Sequence, residues 1–219
     1  MIIDKLTLIQ NEIQLKVKNL ELEKKNREII AVSKTFPISR ILPLINHGHL
    51  HFGENKVQEA VEKWDDIKSN NNKIKLHMIG NLQRNKVKDA LQIFDYIHSL
   101  DNLKLAKKIS EEQKKIKKKV KLFIQVNIGY EAQKSGILPD DVIDFFNSCS
   151  KDLNLDIIGL MCLPPQDIDP ENYFSQLNLL NTKIGLNELS MGMSSDYLKS
   201  IKYGSTFLRI GSKIFGKRD

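Results

Sequence analysis

The chain has 219 residues, enough for one sizeable domain or two small ones with a real core. Hydrophobic residues make up 41% of it, and no apolar run approaches the roughly 18 residues that span a bilayer, so a soluble, non-membrane protein is expected. The formal charge of +7 is almost all lysine, with arginine only at 27, 40, 84, 209 and 218. The lysine run 114–121 has no aromatic or arginine interleaved to stack on bases or read them, so it reads as a solvated helix end and loop, and no nucleic-acid partner is expected.

Residues 5–24 read as an opening helix, with Leu6, Ile9, Ile13, Val17 and Leu20 on one stripe. The first residues enter this charged pattern directly, without the features of a leader peptide, and a cytoplasmic location is expected. Eight strand-like runs follow, at 28–34, 50–54, 75–80, 96–100, 121–127, 156–162, 188–191 and 206–210. Several are near-continuously apolar, which suits parallel strands covered on both faces. Helical segments alternate with them at 39–46, 56–68, 85–93, 102–117, 140–150, 170–182 and 194–203. Ser194-Ser195-Asp196 offers a hydroxyl cap followed by an acid at the start of the last of these. Cys149 and Cys162 fit no common zinc spacing and read as reduced thiols.

Strands alternating with helices predict a parallel sheet, and eight such units predict a closed (β/α)8 TIM-like barrel with an additional N-terminal helix. An open doubly wound sheet is the alternative, disfavoured by the lack of a glycine-rich first turn. No linker or repeat is visible. One domain spanning 1–219 is expected, with residues 1–27 as a helix packed on the barrel.

In such a barrel the active face is the C-terminal edge of the strands. The first strand ends there in Lys34, an unusual residue for a buried run. One reading is a lysine that is paired or snorkels to water. The other is a nucleophile, because desolvation favours the neutral amine that can attack a carbonyl. At the last strands, Gly211 and Ser212 open a short helix, and Ser194 would come from the neighbouring loop, a recurrent phosphate-binding arrangement. Ordinary turn residues are the alternative. Strands 1 and 8 are neighbours in a closed barrel, so an aldehyde phosphate could bridge the two sites.

The sequence resembles the pyridoxal phosphate (PLP) homeostasis proteins, from about residue 29 to residue 219. The likeness is carried by Ala31-Val-Ser-Lys-Thr35, Phe52-Gly-Glu-Asn55 with Gln58-Glu59, and His77-Met-Ile-Gly80 with Leu82-Gln83 and Asn85-Lys86. Further along come Gln125-Val-Asn127 with Lys134-Ser-Gly136, Gly159-Leu-Met161, Leu189-Ser-Met-Gly-Met-Ser194, and Gly204-Ser-Thr206 with Arg209-Ile-Gly211. The chain departs from the family pattern at Lys56, where an aromatic is usual, and at Leu76, where a tryptophan is usual. Both put the shape of the pocket wall in question.

The resemblance implies a monomeric or loosely associated barrel related to the alanine racemase N-terminal domain, holding PLP as a Schiff base on Lys34. The implied cofactor-binding set is Lys34, Asn55, Met191, Ser194, Arg209, Gly211 and Ser212, with no metal. The implied role is intracellular PLP (vitamin B6) and amino-acid homeostasis without turnover, with apo PLP-dependent enzymes as recipients. A weak PLP-dependent racemase is the alternative. By the likeness, Arg209 would face the pyridine nitrogen, where a group that only donates hydrogen bonds weakens the cofactor as an electron sink. A racemase also needs a second acid–base group on the far face. The related racemases take it from an additional domain that is not expected here, and Tyr130 is the only tyrosine in a suitable loop.

Overall fold

The computed structural model describes residues 1–22 and 25–216. Eight strands form one closed barrel in sequence order: β1 (Glu28–Val32), β2 (His51–Glu54), β3 (Lys75–Met78), β4 (Tyr96–Leu100), β5 (Lys121–Val126), β6 (Ile157–Cys162), β7 (Glu188–Met193) and β8 (Phe207–Ile210). Every neighbouring pair is parallel, and β1 closes on β8 with Ala31 opposite Ile210. The expected closed barrel is thus present, and the open-sheet alternative is ruled out.

The helices that return the chain are α2 (Ile38–Asn46), α3 (Val57–Asn70), α4 (Val87–Ile93), α5 (Leu103–Ile116), α6 (Val142–Asn147), α7 (Glu171–Lys183) and α8 (Tyr197–Ile201). A four-residue α9 (Ser212–Phe215) follows the last strand. The opening helix α1 (Ile2–Asn19) buries Leu6, Ile9 and Ile13. It runs shorter than the 5–24 pattern suggested, turning at Glu21 in a left-handed conformation, and residues 23 and 24 of that expectation lie outside the described set.

The period-2 alternation of strands divides the core in two. Outward positions such as Ala31, Phe52, Leu76, Ile97, Leu122, Leu160, Met191 and Ile210 pack against the helices. Inward positions fill the lumen, where Ile30, Phe123, Met161 and Phe207 form a separate apolar cluster. Polar side chains share that lumen: His77, His98, Ser190 and Arg209 are all buried.

Two boundaries matter for function. β1 ends at Val32, two residues before the predicted end, because Ser33–Phe36 form a turn closed by Phe36 N–H donating to Ser33 O (3.1 Å), with Thr35 at φ 69. Lys34 therefore sits in a turn, not on the strand. The predicted helix at 194–203 shrinks to Tyr197–Ile201, because Met193 N–H donates to the Asp196 carboxylate (2.5 Å) and holds a turn there. The Ser194 hydroxyl caps α9 instead of its own helix.

Candidate functional site

The turn carrying Lys34 is pinned on both sides. Ser33 Oγ donates to Glu54 Oε1 (2.7 Å), and Thr35 N–H donates to Glu59 Oε1 (2.7 Å). Lys63 ties the two acids together, donating to Glu54 (3.1 Å), Glu59 (3.0 Å) and Ser33 O (3.2 Å). Trp64 Nε1 adds a donor to Glu54, which has no solvent exposure. Burial would raise the Glu59 carboxyl, but the Thr35 amide and Lys63 hold it below its ordinary pKa. Lys34 itself is half-buried.

Across the β1–β8 seam, Gly211 follows Ile210 so closely that a Cβ there would stand 3.3 Å from Val32 Cβ. Gly211 N–H (3.2 Å) and Lys213 N–H (3.4 Å) both donate to Ser194 Oγ. The hydroxyl oxygen thereby stands where an anion's oxygen would meet two backbone donors. Ser194 reaches that point from a turn in which Gly192 has φ +90, and a Cβ at Gly192 would lie 2.2 Å from Ser200 Oγ. Ser212 is exposed at the start of α9.

Arg209 points into the lumen, 5% exposed. Its Nη1 donates to Ser190 Oγ (2.6 Å) and its Nη2 to Cys162 O (2.8 Å). Burial lowers its pKa, yet a guanidinium starts so high that it stays cationic. Burial also pushes the neighbouring Cys162 thiol up to about 12, so it is uncharged.

Asn55 follows β2 directly after Glu54, the carboxylate to which the Ser33 hydroxyl beside Lys34 donates. Its Oδ1 is buried and has no hydrogen-bond partner among the described residues, the kind of atom a ligand donor would satisfy. Gly80 lets the chain pass beneath it, since a Cβ there would stand 2.4 Å from Asn55 O.

The structure therefore brings Lys34, Asn55, Ser194, Gly211 and Ser212 to the C-terminal mouth and sets Arg209 beneath them. Met191 is different: its side chain lies in the outer, helix-facing layer, and its carbonyl is engaged by Ser205 Oγ (2.6 Å), which precedes β8. Leu76 is on the same outer layer and Lys56 is exposed at the head of α3, so neither side chain enters the lumen. Tyr130 is exposed and donates to Asp140 (3.1 Å).

Sequence reasoning missed two features. The Lys63–Trp64 contribution to the Lys34 turn comes from a helix and has no local signal. The histidines form a contiguous chain: His51 Nδ1 meets His77 Nε2 (2.9 Å), His77 Nδ1 meets His98 Nε2 (2.9 Å), and His98 Nδ1 meets Ser190 Oγ (2.8 Å). The signal was present, since 51, 77 and 98 all take the inward parity of consecutive strands.

The family profile described as the N-terminal domain of alanine racemase matches residues 10–219. The pyridoxal phosphate homeostasis protein of Pasteurella multocida is 36% identical, covering 98% of this chain and 96% of its own length. The mouse protein of the same name is 36% identical over 87% of this chain and 77% of its own. Among solved structures, PipY of Synechococcus elongatus with PLP bound superimposes with a TM-score of 0.80 at 30% identity, over 93% of this chain and all of PipY (100%). Alanine racemase of Clostridium difficile, at 15% identity and a TM-score of 0.71 over 95% of this chain and 56% of the racemase, shares the barrel fold. The chain belongs to the pyridoxal phosphate homeostasis protein family, on the barrel of the alanine racemase N-terminal domain.

Proposed function

We propose that this protein holds PLP at the C-terminal mouth of the barrel and serves cytoplasmic PLP and amino-acid homeostasis as a monomeric carrier, not as a racemase. The observation that carries the reading is the adjacency, across one strand seam, of the pinned Lys34 turn and the two backbone donors at Gly211 and Lys213. Lys34 would supply the amine that tethers the aldehyde. Gly211, Ser212 and Ser194 would hold the phosphate oxygens, and Asn55 Oδ1 would accept from the bound ring or from Lys34.

Bound PLP supplies an electron sink, and the group facing its pyridine nitrogen tunes it. Arg209 would face that nitrogen and could only donate to it, which would leave it unprotonated and turnover poorly supported. Among the described residues, Tyr130 is engaged with Asp140 and exposed, which gives a racemase no obvious second acid–base group. The tether is therefore suited to reversible loading and release to apo-enzymes.

Borohydride reduction of the PLP-loaded protein, followed by peptide mass spectrometry, tests this reading. A phosphopyridoxyl group on the peptide containing Lys34, absent in Lys34→Ala, is the expected outcome. A label elsewhere would remove the assignment. Lys34-dependent deuterium exchange at Cα of a free amino acid would restore the racemase reading.

A further inference from the structure

Three histidines meet through their ring nitrogens and lead to Arg209, a buried cation of the lumen. From the C-terminal side, Arg209 Nη1 reaches Ser190 Oγ at 2.6 Å, Ser190 Oγ reaches His98 Nδ1 at 2.8 Å, and His98 Nε2 reaches His77 Nδ1 at 2.9 Å. His77 Nε2 then reaches His51 Nδ1 at 2.9 Å, and His51 Nε2 stands 3.3 Å from Glu28 Oε2 at the opposite mouth. A cavity of about 310 Å³ opens there, lined by Glu28, His51, Lys75, Tyr96 and Glu188 among others.

Each imidazole–imidazole contact needs one N–H and one lone pair. The two ends of the chain fix which is which. Arg209 only donates, so Ser190 Oγ accepts from it and has its own proton left for His98 Nδ1. Glu28 Oε2 stands 3.3 Å from His51 Nε2, an ion-pair distance at which a proton on that nitrogen is favoured over a lone pair. Between these ends one order satisfies every contact: each ring is neutral, protonated on Nε2, and accepts at Nδ1. The reverse order would aim a lone pair of His51 at the carboxylate. Burial agrees with neutral rings, since it drives His77 and His98 well below the ordinary histidine pKa and takes His51 to about 4. Stacking fixes the ring planes, with His98 against Phe123 and His77 against Tyr96, each at 4.3 Å between centroids.

We propose that Ser190, His98, His77 and His51 are positioning residues for Arg209, forming a single directional hydrogen-bond chain that ends at His51, beside the Glu28 carboxylate, and holds the guanidinium in one orientation beneath the cofactor mouth. The direction of the chain is a property of the protein alone. Its effect on PLP retention rests on the function proposed above.

Two-bond proton–nitrogen correlation spectra of the full, PLP-free chain read the tautomers directly. All three rings should be Nε2–H at neutral pH; a cationic ring, or an Nδ1–H ring, at any of the three overturns the proposal. Ser190→Ala should admit a second tautomer at His98 and weaken PLP binding on the order of tenfold, as expected when a buried cation loses its acceptor. Ser190→Thr, which keeps the hydroxyl, should restore both. Unchanged PLP affinity and an unchanged His98 tautomer in Ser190→Ala would remove the positioning role. Glu28→Gln, at the rim where folding is least at risk, replaces a pure acceptor with a group that also donates. It should admit the second tautomer at His51, His77 and His98 together; a change at His51 alone, or at none, overturns the single chain. If the parent shows the predicted tautomers yet binds no PLP, the carrier reading falls while the chain stands.

Discussion

A carboxyl with no solvent exposure needs its oxygens engaged, and Glu54 has Ser33, Lys63 and Trp64 around it. Those contacts set the height and direction of the Lys34 turn. Glu54→Gln keeps the volume but leaves Lys63, itself 10% exposed, with Glu59 as its remaining carboxylate. The variant should lose about 1–3 kcal/mol in urea unfolding, the range for leaving buried hydrogen-bonding groups imperfectly paired while Lys63 keeps Glu59. Unaltered stability would mean that the pair is not coupled to the turn. Lys34 itself was legible in the sequence, because a lysine closing an apolar run is conspicuous. Lys63 was not, because on a helix it reads as a solvated face until β2 and α3 are docked.

At the scale of elements, α1 is tied to the mouth through polar as well as apolar contacts. Tyr197 of α8 donates to Glu12 of α1, and Lys213 of α9 reaches both Glu12 (3.3 Å) and the Tyr197 hydroxyl (3.1 Å). Ile9, 2% exposed, anchors the apolar side of the same helix. Ile9→Ala should cost about 2–5 kcal/mol of stability, the range for truncating a buried aliphatic side chain, measured by denaturant unfolding. The order and type of the elements were legible from alternating period-2 and helical patterns. Their ends were less so, and for identifiable reasons: Thr35 turns left-handed, and Ser194 spends its hydroxyl on α9, a helix that starts eighteen residues further along and that no local pattern links to it. Of the site, Gly211 and Ser194 could be paired from topology. The outward face of Met191 follows from strand parity once Ser190 is known to point inward.

The whole molecule carries several histidines whose charged form the fold disfavours. Burial is the first cause in each case: His49 and His51 fall to about 4, and His77 and His98 lie well below the ordinary value. In the unfolded chain they titrate near 6.5. Between these values the unfolded chain binds protons that the folded one does not, so stability is fully present above about pH 6.5 and is lost as pH falls toward 4. Urea midpoints measured from pH 7 to 4.5 should decline steadily, corresponding to uptake of about two to four protons on unfolding. A flat profile across that interval would show that these rings are already charged in the folded protein.

The sealed lumen has one more consequence. His77 and His98 have no solvent exposure, and their rings are walled in by Tyr96, Phe123 and Phe207. Water reaches these imidazole protons only through an opening of the barrel or by way of His51 at the rim cavity. In heavy water those two signals should outlast the backbone amides of the surface helices. The barrel thus holds an isotopic clock in its own interior, one that a bound ligand would slow by stabilising the closed form.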